Sequence, residues 1–174
     1  MVDFSLFFYR LKSMILIYWK GKVGTSVGAL CEHLSLSYDI RDDQNPPSSY
    51  DAYDIIIPSP GIPSHHIIYS TGKVMCELDF AYQYLPKTYK LVAITGTDGK
   101  STTSWIMYNI LQKEYFGKNS VYLSWNFDIP FSSTLLEILK KWEKKGIIVV
   151  EISSFMAYSL RIFRPDYSLF TNFK

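Results

Sequence analysis

The sequence feature that most constrains the fold is a short apolar run that leads directly into a loop containing two glycines. Residues 90–95 have the composition of a buried strand, Gly96 and Gly99 follow them, and residues 101–113 have the pattern of a helix. A strand, a tight turn and a helix in this order are typical of an α/β fold.

The same alternation continues along the chain and predicts mostly parallel sheets, because continuous apolar runs suit strands that are buried on both faces. Strands are predicted at residues 14–18, 37–40, 54–57, 120–123, 147–152 and 167–171. Helices are predicted at residues 26–34 and 132–145, the latter with an apolar face at Leu135, Leu136, Leu139 and Trp142 and its end at Gly146. The composition of residues 86–88 predicts a linker. We therefore expect one small α/β domain over residues 1–86 and a second over residues 87–174.

Composition excludes several classes of function. The net charge of +2 and the lack of a basic face beyond a lysine cluster at one helix end argue against a nucleic-acid partner. Two cysteines make no disulfide framework and favour a reducing compartment. The unbroken apolar run at residues 14–19 is far shorter than the ~20 residues that span a bilayer. These features predict a cytoplasmic protein without membrane insertion, and we expect a monomer.

The loop itself has the chemistry of a nucleotide phosphate site. Glycines permit close backbone approach, and amide groups at the start of the following helix attract anions. Lys100 is predicted to reach the β- and γ-phosphates, and the Ser101 hydroxyl to ligate Mg²⁺. Ile94 stands where the longer phosphate-loop pattern has its first glycine, so a plain strand-to-helix turn is the alternative. The predicted nucleotide-binding residues are Gly96, Thr97, Asp98, Gly99, Lys100, Ser101 and Thr102.

Residues 96–101 resemble the ATP loop of the Mur ligases and of the related folylpolyglutamate synthetases. Four further segments resemble Mur ligase motifs in the same order. They are Ser-Pro-Gly-Ile-Pro at residues 59–63, Glu-Leu-Asp at 77–79, Glu-Ile-Ser-Ser-Phe at 151–155, and Phe-Arg-Pro at 163–165 followed by Thr-Asn at 171–172. On these motifs the chain is identified as a member of the Mur ligase family from about residue 14 to its last residue.

The resemblance implies a Rossmann-like N-terminal domain that binds a UDP group, followed by part of a P-loop-type ATP-binding domain with a mostly parallel sheet. The implied activity is ATP- and Mg²⁺-dependent amide formation between D-glutamate and UDP-N-acetylmuramoyl-L-alanine through an acyl phosphate, in peptidoglycan synthesis. A sister ligase for another amino acid, or a folate-type polyglutamylator, is disfavoured by residues 59–63 and 153–155.

The resemblance also implies roles for particular residues. Lys100 and Glu151 would be catalytic, and Ser101 and Glu151 would hold Mg²⁺. The implied substrate-binding residues are Gly21, Lys22, Asp39, Arg41, Asn126 and Ser153. Two alternatives remain from the residues alone: Glu151 could be a strand-end carboxylate paired with a lysine, and Ser153 and Asn126 could cap turns.

Several positions depart from the family pattern. Trp19 stands at the first glycine of the implied UDP-binding turn, and Asp98 stands where an asparagine is usual. Residues 124–130 lack the three glycines of the family pattern, and Asp128 stands at one of these positions. The resemblance ends before the family's second metal-ligand segment, so we expect this chain alone not to complete the reaction. The competing hypothesis is a nucleotide-binding remnant or regulatory module without catalysis, and measurable amide formation separates the two.

Overall fold

The structure, a computed structural model, describes residues 13–115, 120–125 and 128–173, and of Phe155 only the backbone. It divides into two compact units, Met1–Glu77 and Leu78–Lys174. The division falls nine residues before the domain boundary expected at residue 86. The assignment of a UDP-binding and an ATP-binding role to the two parts stays a prediction.

Unit 1 is a three-stranded parallel sheet with one long helix. Its elements are strand β1 (Ile15–Tyr18), helix α1 (Lys22–His33), strand β2 (Tyr38–Arg41), strand β3 (Ile55–Pro58) and a 3₁₀ helix (Ile67–Thr71). The strand order is β2-β1-β3, and both pairs are parallel. All four residues of the central strand are buried, as its continuous apolar run predicted. Its Leu16 and Tyr18 side chains form a core with Tyr53, Ile56 and Ile68.

Unit 2 contains a four-stranded parallel sheet. Its elements are helix α2 (Glu77–Tyr82, which begins at the last residue of unit 1), strand β4 (Tyr89–Thr95), helix α3 (Lys100–Glu114), strand β5 (Ser120–Trp125), helix α4 (Phe131–Lys141), strand β6 (Gly146–Glu151), helix α5 (Ser154–Ser159) and strand β7 (Tyr167–Phe170). The strand order is β5-β6-β4-β7. The α/β class and the parallel sheets predicted from the sequence are confirmed.

The end of helix α4 differs from the prediction. The helix stops at Lys141, and Trp142 adopts a left-handed backbone (φ 55°) with its side chain 86% exposed. The predicted Leu135 is buried, and Ile138 joins it on the buried face. Gly146 does not stop the helix but begins β6, where a β-carbon would lie 2.4 Å from the Ser120 carbonyl oxygen. The prediction of Trp142 on the apolar face was therefore wrong.

Other boundaries shift by a few residues, and helix α1 begins four residues before the predicted start at residue 26. The 3₁₀ helix, α2 and α5 were not predicted, because each is shorter than two helical turns and shows little periodicity. Within the described ranges, no helix is both long and apolar enough to cross a bilayer.

The strand order in unit 2 determines where a ligand can approach. The chain leaves β4 toward β5 and β6 on one side, whereas β7 lies on the other side of β4. In open parallel sheets such a reversal opens a crevice at the carboxyl ends of the strands. The loop of residues 96–99 leaves β4 at this point, so the fold presents it at the crevice.

Candidate functional site

The loop between β4 and α3 requires glycine at both of its glycine positions. Gly96 has φ 138°, and a β-carbon there would lie 2.1 Å from the Thr171 hydroxyl oxygen and 3.1 Å from the Asn172 backbone. Gly99 has φ 79° and is the N-cap of α3. Both backbone conformations are readily accessible only to glycine. The sequence prediction of a tight glycine turn is thus matched by the backbone.

Not all amides of the loop face outward. The Thr97 N–H donates to the Asn172 carbonyl oxygen (3.1 Å), and the Asp98 N–H donates to the Asn172 Oδ1 (3.0 Å). In this conformation both donors are occupied by the chain itself. The first hydrogen bond of the helix runs from Thr103 to Gly99, so the amides before it are those without a helical acceptor. An anion at this helix N-terminus would meet the N–H groups of residues 99–102.

Lys100 lies folded over its own loop. Its Nζ donates to the carbonyl oxygens of Gly96 (2.9 Å) and Thr97 (3.0 Å), and the side chain is half-buried. The ammonium group therefore stays at the mouth of the loop, neutralising two carbonyl dipoles. To contact a phosphate it must exchange these weak partners for a charged one, which is a favourable exchange because charge-assisted hydrogen bonds are stronger.

Glu151 ends strand β6 beside the strand from which the loop departs. It is in register with Ile94, and the Ile152 N–H donates to the Ile94 carbonyl oxygen at 2.9 Å. The residue is only 6% exposed, and no hydrogen bond or ion pair reaches its carboxylate from the described residues. The alternative of a lysine partner therefore finds no support in the described part of the chain. A buried carboxylate in this state suits a cation.

Ser101 opens the first turn of α3 with an exposed side chain. Its hydroxyl and the Glu151 carboxylate are the predicted Mg²⁺ ligands. Nowhere in the described ranges do three or more His, Cys, Asp or Glu side chains form a group that could hold a metal ion. Two protein ligands fit Mg²⁺, which commonly keeps several waters and takes the rest of its shell from phosphates.

Two predicted substrate-binding residues follow β5 and β6. Ser153 is the N-cap of α5, where its hydroxyl accepts a hydrogen bond from the Met156 N–H at 3.2 Å. Turn capping, the alternative left open by the sequence, is thus a role that Ser153 performs. Asn126 lies outside the described residues, so its prediction stays as it was made. The exposed Asp98 side chain lies in the loop, where it adds a negative charge beside the predicted anion site.

The predicted UDP-binding residues of unit 1 lie after β1 and within β2. Gly21 is the N-cap of α1, and Lys22 is its first residue. Asp39 and Arg41 lie on one face of β2, where they form an ion pair of 3.5 Å. The Tyr53 hydroxyl also donates to Asp39 at 2.8 Å. The two charges therefore neutralise each other, and a ligand that uses either must compete with this pair.

Trp19 occupies the turn between β1 and α1 with a strained backbone. Its φ is 81°, and its side chain is 44% exposed. The Ser59 hydroxyl donates to its carbonyl oxygen at 3.0 Å, and a β-carbon on Gly24 would lie 2.3 Å from the same oxygen. A left-handed backbone disfavours a bulky residue by about 1–2 kcal/mol, whereas glycine adopts it freely. The backbone thus retains the conformation of a glycine turn although tryptophan stands there.

The residues that flank strand β7 make contacts that the sequence did not assign to the site. Thr171 donates from its hydroxyl to the Asp98 carbonyl oxygen (2.6 Å), and Asn172 donates from Nδ2 to the same oxygen (3.2 Å). At the other end of the strand, Asp166 accepts from the Leu91 N–H at 2.9 Å. The Thr-Asn pair was visible as a motif, but only the pairing of β7 with β4 brings it to the loop.

Comparisons with known proteins identify a similar family and a similar fold. Residues 94–174 match the family described as Mur ligase middle domain. A solved structure with a similar fold is UDP-N-acetylmuramate:L-alanyl-gamma-D-glutamyl-meso-diaminopimelate ligase from Neisseria meningitides. The TM-score is 0.51 at 14% identity, over 93% of this chain and 61% of that chain. Through the match of residues 94–174, this part of the chain belongs to the Mur ligase family, whose members are ligases.

Particular relatives are more similar in sequence. UDP-N-acetylmuramoylalanine--D-glutamate ligase of Aquifex aeolicus (strain VF5) is 33% identical over 167 residues, which are 91% of this chain and 38% of that protein. The enzyme with the same name from Fervidobacterium nodosum is 31% identical over 95% of this chain and 38% of its own length. This chain therefore spans about 38% of the length of these relatives.

Proposed function

We propose that unit 2 binds Mg·ATP and that the chain is part of an ATP-dependent ligase joining D-glutamate to UDP-N-acetylmuramoyl-L-alanine. The observation that carries the proposal is the loop of residues 96–101 at the carboxyl end of β4, with the buried carboxylate of Glu151 at the end of the neighbouring strand, where no described residue pairs with it. The names of the relatives that match over most of this chain support the choice of substrates.

The proposed roles follow from the positions of the groups. The amides of residues 99–102 would donate to the phosphates at the N-terminus of α3, where the helix dipole also favours an anion. Lys100 would turn from the loop carbonyls to the β- and γ-phosphates. Ser101 and Glu151 would hold Mg²⁺, which neutralises phosphate charge when it is bound. These groups position and neutralise, and phosphoryl transfer depends mainly on such effects.

The proposed reaction has two steps. A carboxylate oxygen of the alanyl substrate forms a bond to the γ-phosphorus as the bond to the β-phosphate oxygen breaks, which gives an acyl phosphate and ADP. The amine of D-glutamate then attacks the acyl carbon, loses a proton and expels inorganic phosphate. This chain would supply the phosphate-binding groups of the first step.

For unit 1 we propose binding of the UDP group at the carboxyl ends of β1 and β2. Gly21 and Lys22 open the helix that follows β1, which is where a diphosphate is favoured. Asp39 and Arg41 would contact the nucleoside from β2 once their ion pair opens. Ser153 is proposed as a substrate contact in unit 2 in addition to its capping role, and Asn126 likewise.

The test is a calorimetric titration of the purified chain with Mg·ATP beside the substitution Lys100→Ala. Loss of a charge-assisted phosphate contact should weaken binding by about 1.5–3 kcal/mol. Lys113→Ala is the matched control, because Lys113 is an exposed lysine in the last turn of the same helix. Saturable binding in the wild type and the control, with a large loss in Lys100→Ala, supports the site. Equal affinity in all three proteins would refute the role of Lys100.

A further inference from the structure

Asn172 holds the phosphate loop from the neighbouring strand. It accepts from Thr97 with its main-chain oxygen, accepts from Asp98 with Oδ1, and donates from Nδ2 to the Asp98 carbonyl oxygen. The side chain thus satisfies both the N–H and the C=O of one loop residue. This two-sided contact is specific to the carboxamide, since no other uncharged side chain of this length offers a donor and an acceptor together.

The adjoining contacts bring Asn172 to that position. The Thr171 N–H donates to the Thr95 carbonyl oxygen at 2.9 Å, which continues the pairing of β7 with β4 beyond the strand. The absence of a side chain at Gly96 lets Thr171 approach, because a β-carbon would lie 2.1 Å from its hydroxyl oxygen. At the beginning of β7, Asp166 is bonded to Lys90 (2.6 Å) and to the Leu91 N–H. Strand β7 is therefore anchored at both ends against the strand that carries the loop.

We infer that Asn172 is a positioning residue for the phosphate site: it takes up the Thr97 and Asp98 amides and leaves those of residues 99–102 for the anion. The inference rests on the proposed function of the loop. Without the Asn172 side chain, the Asp98 N–H loses its acceptor and the Asp98 carbonyl oxygen keeps only the Thr171 hydroxyl among these contacts, so the loop is held less firmly and must be ordered further when a phosphate binds. Preorganised donors avoid that loss of conformational entropy on binding.

The experiment compares the wild-type chain with Asn172→Ala by amide hydrogen exchange and by calorimetric titration with Mg·ATP. We expect the Asp98 amide to exchange roughly tenfold faster in the variant, and Mg·ATP to bind roughly tenfold more weakly, because two hydrogen bonds are lost. The Thr97 amide is an internal reference, since its acceptor is the main chain and stays. Asn109→Ala is the matched control, because this exposed asparagine donates a hydrogen bond to the Trp105 carbonyl oxygen of its own helix.

The possible outcomes separate the inference from the proposed function. If the wild type binds Mg·ATP and Asn172→Ala binds it equally well, the positioning role is refuted while the proposed function stands. Unchanged exchange at Asp98 refutes it as well, because the contact then does not hold the loop. If the folded wild type binds no Mg·ATP, the proposed function fails and the inference fails with it. Faster Asp98 exchange together with weaker binding, both absent from Asn109→Ala, supports it.

Discussion

The buried carboxylate of Asp79 allows a test of how hydrogen bonds stabilise unit 2. Its side chain is 1% exposed, and its two carboxylate oxygens accept three backbone N–H groups from the segment that follows α5. The distances are 2.6 Å from Arg161, 3.1 Å from Ile162 and 2.7 Å from Phe163. The segment therefore depends on one carboxylate that is more than 80 residues away in the sequence.

The expected size of the effect follows from the exposure of each donor. Hydrogen bonds to a charged group contribute about 1.5–3 kcal/mol each. Water can replace the carboxylate at the exposed Arg161 and Ile162, but Phe163 is buried and its N–H would lose its acceptor. For Asp79→Ala we expect a loss of about 3–5 kcal/mol in the free energy of unfolding of unit 2. Asp79→Asn keeps one accepting oxygen, so about half of that loss is expected.

The assay is urea unfolding followed by tryptophan fluorescence, because three of the four tryptophans lie in unit 2. A shift of the midpoint with an unchanged slope reports a change in stability. Asp51→Ala is the control, since its carboxylate side chain is 99% exposed, and a change within about 0.5 kcal/mol is expected. A loss below about 1 kcal/mol in Asp79→Ala, at an unchanged slope, would refute the reasoning, because the carboxylate would then be replaceable by water.

Three further predictions concern stability. In helix α1, Gly24→Ala should destabilise the protein by about 1–3 kcal/mol, because the new β-carbon would lie 2.3 Å from the Trp19 carbonyl oxygen. Gly28→Ala makes ordinary contacts and should stabilise the protein by about 0.5–1 kcal/mol. Thermal unfolding measures both effects. At position 19, glycine should be more stable than alanine by about 1 kcal/mol because φ is 81°, and the reverse order in urea unfolding would contradict the strained backbone. The Lys90 ammonium holds the pKa of Asp166 below its ordinary value. The ionised carboxylate therefore stabilises the folded protein at pH values above the unfolded pKa of about 3.9. This contribution is lost as the pH falls through the lower pKa of the folded state. The stability advantage of the wild type over Asp166→Asn, measured by unfolding across pH 2–7, should therefore be complete near neutrality and vanish toward pH 2; an advantage that persists there would exclude the ion pair as its source.

The fold could be predicted from local pattern because the buried parallel strands are continuous apolar runs. The runs at residues 14–18, 54–57 and 147–152 correspond to β1, β3 and β6. Patterns failed where local propensity competed with tertiary context. Trp142 has the spacing of a buried residue in α4, but the chain turns out of the helix one residue earlier and leaves it exposed. Gly146, which resembles a helix stop, is required by close packing against β5.

The candidate site divides in the same way. The loop of residues 96–101 was visible because its residues are contiguous and their chemistry is local: two glycines, a lysine and a hydroxyl at a strand-to-helix turn. Asn172 and Asp79 were visible only as family motifs without a role. Their partners lie more than 70 residues away, and which atoms they contact depends on the order of the strands.

The sequence by itself therefore determined the α/β class, the parallel strands and the position of a glycine turn with a lysine and a serine. These features follow from the spacing of apolar residues along the chain and from the backbone conformations that glycine permits, which are properties of neighbouring residues. Tertiary structure alone decided that β7 lies beside β4, that Glu151 ends the strand on the other side, and that two of the loop amides are taken by Asn172. Strand order is set by the packing of the whole sheet, so no local pattern contains it.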